Sequence, residues 1–97
     1  MDAFQALLNQ AESRTRFSAH AKARIEQRGV DLMADDLARI DDAVDHMAAK
    51  GVRDALIYMS HGLAMVVSVK NRTVITALDD ASAKENIFTN IDSAAIL

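Results

Sequence analysis

The spacing of apolar residues changes near Gly51 from a helical period to a strand period. Before Gly51, apolar residues recur every three or four positions, which predicts two helices. After it, they form short runs rich in β-branched residues, which predict three strands. The helices are expected over 18–28 and 34–50, and the strands over 54–59, 63–69 and 73–78. Short links require neighbouring strands to run in opposite directions. We therefore expect an α+β fold of two layers, with N-terminal helices packed on a three- to four-stranded antiparallel sheet.

The most β-rich stretch is 63–78, LAMVVSVKNRTVITAL, in which the polar corner Lys70-Asn71-Arg72 separates two apolar runs. Asparagine tolerates the left-handed backbone of a tight turn, so this corner predicts a hairpin turn with Asn71 in that conformation. The residues that would face the helices form the predicted core: Leu37, Ile40, Val44, Ile57, Met65, Val67 and Ile75.

The first helix has clear end signals, whereas the second has a weak start. Ser18 can cap the first helix, and Gly29 and Gly51 can end the two helices in left-handed conformations. Near Met33, where the second helix begins, the usual Ser, Thr or Asp cap is missing. The sequence therefore predicts the helix ends better than the start of the second helix.

One arc of the second helix carries Asp41, Asp42 and Asp45. Acidic residues on one helical face predict a solvated surface. The alternative is that they meet Arg24 and Arg28 of the preceding helix, or basic residues of a partner.

Apolar residues accumulate at both ends of the chain. Residues 1–16 predict a helical arm that docks on the body or on a partner, although so short a terminal helix could also fray. Residues 17–97 form the single domain. The segment Phe88–Leu97 is apolar to its last residue, which predicts a fourth strand or a segment in a groove of this chain or of another subunit. A homodimer and a different protein partner both fit such apolar ends.

Composition limits the classes of function. The 97 residues suffice for one domain, and no cysteine is present to form a disulfide or a thiolate metal site. The cysteine count fits the cytoplasm, and no apolar run approaches the ~20 residues of a membrane span. The net charge of −3 argues against nucleic acid as a partner.

The strongest polar pattern is His20, Arg24 and Arg28, spaced four residues apart along one edge of the first helix. Two arginines one turn apart can clamp a carboxylate or phosphate, with His20 as donor or base. The alternative is structural, with the guanidinium groups paired to acids of the second helix: Asp35, Asp36 or Asp41.

The remaining candidate residues lie in Thr89-Asn90-Ile91-Asp92, after Phe88. Asn90 and Asp92 suit a turn that bonds its own backbone, and with Phe88 they are also candidate binding residues. The histidines lack metal-ligand spacing, and no glycine-rich phosphate loop or nucleophile motif is present. We therefore expect no metal, no cofactor, no catalytic residue and no enzymatic activity.

Three motifs carry a family resemblance. The pattern F-S-x-H-A-x-x-R-I-x-x-R over 17–28, the stretch VSVKNRTVITA over 67–77 and FTNID over 88–92 together resemble the small "flagellar operon protein" family. Its members are encoded among the rod and hook genes of many bacteria. The resemblance implies a cytoplasmic accessory of flagellar assembly without an established catalytic activity, and it names no partner.

A second resemblance gives the alternative function. The pattern H-A-x-x-R-x-x-x-R-G, followed by a helix and strands, is similar to toxin-like ribonucleases of the RelE-like fold. Those enzymes are generally basic and act on RNA with side chains of the sheet. Here the sheet offers Tyr58, Lys70 and Arg72 in an acidic chain, and a shared fold would not carry the activity with it.

Overall fold

The computed structural model describes residues 3–59, 62–79 and 93–97. All five predicted helices and strands are present, and each of their ends lies within one residue of its expected position. The elements in chain order are α1 Ala3–Gln10, β1 Arg16–Phe17, α2 Ala19–Gln27, α3 Ala34–Ala49, β2 Asp54–Tyr58, β3 Leu63–Ser68, β4 Thr73–Asp79 and β5 Ser93–Ile96.

The strands form one mixed sheet in the order β1-β4-β3-β2-β5. Strands β2, β3 and β4 are the predicted antiparallel meander. At the two sheet edges, however, β1 runs parallel to β4 and β5 runs parallel to β2. The expected antiparallel sheet of three to four strands is therefore wrong. Each edge strand is joined to its neighbour by a long stretch of chain, and such a connection permits parallel pairing.

The helices cover one face of the sheet, and the main core lies between the two layers. Ala21 and Ile25 of α2 are buried there, together with apolar residues of α3 and the sheet. Six of the seven predicted core residues are confirmed as buried: Leu37, Ile40, Val44, Ile57, Met65 and Val67.

The seventh predicted core residue, Ile75, is 44% exposed, so this prediction is wrong. Val67 pairs with Val74 and Val66 pairs with Thr76, which leaves Ile75 as an extra residue in β4. Such a bulge interrupts the two-residue alternation of side chains. Val74 and Ala77, three residues apart, are the buried residues of this strand.

The β3–β4 turn is the predicted hairpin with a different residue in the strained position. Arg72, with φ 50°, adopts the left-handed conformation that was expected of Asn71. The Asn71 side chain instead donates to Ser68 Oγ at 3.0 Å. The Arg72 guanidinium lies 2.9 Å from an Asp45 carboxylate oxygen. This fixed side chain helps to offset the cost of a backbone conformation that L-residues rarely adopt.

Helix α1 docks on the body of the domain. Leu8 is buried, and the Phe4 ring packs edge-on against Phe17 with 4.9 Å between the ring centroids. Lys22 of α2 also donates to the Gln5 side chain at 2.7 Å. The arm therefore takes the first of its expected positions, against its own chain.

Candidate functional site

In the row of His20, Arg24 and Arg28, the first two residues lie on α2, the helix that packs on β4, and Arg28 is the C-cap residue of that helix. Helix α2 begins where predicted, because Ser18 Oγ accepts from the Ala21 N–H at 3.0 Å. Along this edge Arg28 Nη1 is 3.0 Å from Asp79 Oδ2, and both side chains are partly exposed. His20 is exposed and makes no hydrogen bond to another described residue.

This row completes the edge of the sheet rather than forming a clamp. Strand β1 pairs only with the first two residues of β4. Beyond them, Ser18 Oγ donates to the Ile75 carbonyl at 2.7 Å, and Arg24 Nε approaches the Ala77 carbonyl at 3.4 Å. Side chains of α2 thus occupy carbonyl groups that a further strand would use. The structure supports a structural role for the arginines, with partners on β4.

The acids of α3 meet neither Arg24 nor Arg28. Asp41 is 7% exposed and accepts three hydrogen bonds from the segment before β1. The donors are Thr15 Oγ1 at 2.7 Å, the Arg14 N–H at 3.2 Å and Ser13 Oγ at 3.4 Å. The prediction of a solvated face is therefore wrong for Asp41. The sequence signal that points to it is the polar run Ser13-Arg14-Thr15, which needs an acceptor once it is buried.

Two other acids of α3 also have defined partners. Asp45 lies 2.6 Å from Arg14 and 2.9 Å from Arg72, so it joins the N-terminal segment to the β3–β4 turn. At the start of α3, Asp36 Oδ2 accepts from the Met33 N–H at 2.9 Å. This carboxylate satisfies a backbone donor at the helix start, where the sequence lacked a conventional cap.

Strand β5 is the described part of the predicted binding tail, and the candidates Phe88, Asn90 and Asp92 lie outside the described residues. The Leu97 N–H donates to the Tyr58 carbonyl at 2.8 Å. Backbone groups of successive strand residues point to opposite sides. Because Leu97 points its N–H toward β2, the backbone N–H and C=O groups of Ala94 and Ile96 point away from β2, toward the outer side of β5.

Ile96 is 86% exposed, more than any other large apolar residue that the structure describes. Its neighbours Ala95 and Leu97 turn to the helix side and pack against the core. Ile96 thus lies on the face of the sheet opposite the helices. The same face carries a small cluster built only from strand residues: Leu56, Tyr58, Ala64, Val66 and Leu78.

The three sheet residues named for a ribonuclease-like site do not meet. Tyr58 pairs with Ala64 at one end of the β2–β3 ladder, and Asp54 pairs with Ser68 at the other. Lys70 and Arg72 lie beyond Ser68, so about 13 Å of strand separates them from Tyr58.

No group of three or more His, Cys, Asp or Glu residues in the described ranges could hold a metal ion. The described helices include none that is both long and apolar enough to cross a membrane.

Residues 73–96 match the model of a family described as "Putative flagellar". The matched range runs from the start of β4 to the end of β5 and includes the FTNID motif, but the 17–28 motif lies outside it. No curated protein and no solved structure matches the chain. This partial match links the region that ends in β5 to a flagellar protein family.

Proposed function

We propose that the protein is a cytoplasmic accessory of bacterial flagellar assembly that acts at the rod and hook stage by binding another protein. The partial family match supports the flagellar association, and the resemblance of the other motifs supports the cytoplasmic location. The observation that carries the binding role is the outer edge of β5, where Ile96 is exposed.

The outer edge of β5 can accept an extended segment of a partner as one more strand. Ala94 and Ile96 together offer two N–H donors and two carbonyl acceptors. Each hydrogen bond formed there contributes about 0.5–1.5 kcal/mol net. Burying the Ile96 side chain adds roughly 1.5–3 kcal/mol, so it would be the anchor of the interface.

The N-terminal arm is not part of this proposed surface. Phe4 packs against Phe17, and Leu8 is buried in the core of the same chain. Among the large apolar residues that the structure describes, Ile96 is the most exposed. The binding role therefore rests on the C-terminal strand.

The binding edge is tested by a cross-linking pull-down from flagellated cells with four variants. Ala94→Pro removes an N–H that points outward, so it should reduce capture while β5 stays paired with β2. Ala95→Pro removes an N–H that donates to β2, so it should destabilise the strand itself. Ile96→Lys should abolish capture of a rod or hook component. Ile75→Lys, a second exposed isoleucine of the sheet, should leave capture unchanged.

Recovery of the same component by Ala94→Pro and Ile96→Lys would refute the β5 edge as the surface. A second copy of the chain is the other occupant to be distinguished. Light scattering of the purified protein identifies it if Ile96→Lys converts a dimer to a monomer.

The flagellar assignment needs a separate experiment. Deletion of the gene should impair motility and stop assembly at the hook. Normal motility and normal hooks in the deletion strain would overturn the flagellar role. A binding activity at β5 could still be measured in that case.

A further inference from the structure

A concavity of about 340 Å³ lies between the C-terminal end of α3 and the β3–β4 turn. Three basic and three apolar residues line it, together with Gly51. The basic residues Arg53, Lys70 and Arg72 are called the rim, and the apolar residues Ala48, Val52 and Val69 are called the floor. None of the described residues that line it is acidic, although Asp45 lies 2.9 Å from Arg72.

Backbone hydrogen bonds engage two carbonyl groups at the end of α3. Helix C-termini expose carbonyl groups that repel anions. Here the Met47 carbonyl accepts from the Lys50 N–H at 3.1 Å and from the Val52 N–H at 3.0 Å. The Ala48 carbonyl accepts from the Gly51 N–H at 3.1 Å. These two carbonyls are therefore less available to repel an anion.

Arg72 is held in place at the rim by its surroundings. Its Nη2 lies 2.9 Å from Asp45, and its Nε approaches the Arg14 carbonyl at 3.4 Å. Its backbone is left-handed with φ 50°, a conformation usually taken by glycine. The contacts with Asp45 and Arg14 fix the position of the guanidinium group beside the concavity.

We infer that this concavity binds an acidic peptide segment, with a carboxylate at the basic rim and an adjacent apolar side chain on the floor. Arginine and lysine bind carboxylates through charge-assisted hydrogen bonds. The apolar floor formed by Ala48, Val52 and Val69 favours a peptide over a phosphate backbone.

This site lies at a different place from the outer edge of β5 and does not depend on the flagellar assignment. Three of its residues, Val69, Lys70 and Arg72, belong to the β3–β4 turn region. Its test uses the purified protein alone, so it can succeed or fail independently of the pull-down.

The test is a titration of the ¹⁵N-labelled full chain with the peptide acetyl-Glu-Leu-Asp-Glu-amide, followed by NMR. Saturable shifts are expected at the amides of Val52, Val69 and Lys70. Lys70→Glu should weaken binding by about tenfold or more, because it replaces an attraction with a repulsion. Arg39→Glu makes the same charge change at an exposed position of α3 away from the concavity and should bind as the unmodified chain does.

Further experiments test the role of the apolar floor and the chemical class of the ligand. Replacing the peptide leucine by serine should weaken binding by about tenfold, because the floor then buries a polar group. Arg53→Gln provides a second rim variant if circular dichroism shows that Lys70→Glu is misfolded. Absence of saturable shifts, equal weakening by Arg39→Glu, or tighter binding of a short single-stranded RNA would each overturn the inference.

Discussion

Replacing Asp41 by asparagine tests how one buried carboxylate joins the N-terminal segment to α3. Oδ1 of Asp41 accepts from Thr15 Oγ1 and Ser13 Oγ, and Oδ2 accepts from the Arg14 N–H. Thr15 is only 2% exposed, so its hydroxyl has little access to water. Asp41 is therefore the acceptor for the Thr15 hydroxyl and the Arg14 N–H of this segment.

Asparagine keeps the shape of the side chain but has one acceptor oxygen instead of two. If that oxygen faces Thr15, the new amide NH₂ faces the Arg14 N–H, and two donors oppose each other. A hydrogen bond to a charged group contributes about 1.5–3 kcal/mol, and a buried donor without an acceptor costs about 1–3 kcal/mol. We expect Asp41→Asn to lower the free energy of unfolding by about 2–3 kcal/mol. That is a large part of the roughly 5–15 kcal/mol of a small domain.

Urea unfolding measures this loss, with Asp42→Asn as the matched control on the next residue of α3. Asp42 is exposed, so its replacement should change stability by less than about 0.5 kcal/mol. Thr15→Val and the double variant complete a cycle, in which a coupling energy of about 1–2 kcal/mol is expected. Equal stability of Asp41→Asn and Asp42→Asn, or a coupling energy near zero, would refute this account of the network.

Three further predictions follow from packing, strain and charge. Ile40→Ala should cost about 2–4 kcal/mol by urea unfolding, whereas Ile75→Ala at its exposed bulge should cost less than about 0.5 kcal/mol. Arg72→Gly should change stability by less than about 1 kcal/mol, since relief of the left-handed strain offsets the lost ion pair, yet it should weaken peptide binding. A large loss of stability with unchanged binding would contradict that balance. The purified protein should not cleave RNA, free or on ribosomes. Cleavage that is lost in a folded double variant, Arg24→Ala with Arg28→Ala, would favour the ribonuclease alternative.

The sequence predicts the elements of this fold because their periodicity and end signals are local. Ser18 and Gly29 delimit α2 as expected, since a capping oxygen and a left-handed glycine act within a few residues. The C-terminal segment was expected to form a fourth strand or to lie in a groove, and part of it forms β5. The other edge strand, β1, was not predictable. Strand β1 is only two residues long, and its pairing with β4 joins Arg16 to Thr73. No pattern within so short a segment identifies a partner so distant in the chain.

The candidate site was predicted in part. The sequence placed His20, Arg24 and Arg28 on one helix edge, which the structure confirms, but it did not identify β4 as their partner. The contacts between α2 and β4 depend on the bulge at Ile75, because the bulge changes which backbone carbonyls of β4 point toward α2. A single extra residue in a strand has no distinct signal among β-branched neighbours.

The contact of α2 with the edge of β4 also limits how far copies of this chain could stack. A sheet with two open edges can add a copy at each side and grow into a filament. On the β4 side, Ser18 and Arg24 already occupy backbone carbonyls, and the edge strand β1 has only two residues. Within the described strands, β5 is therefore the longer edge that is left for growth. If two copies paired through β5 about a two-fold axis, the outer side of β5 would be covered in both copies. Assembly through the sheet would then end at a dimer.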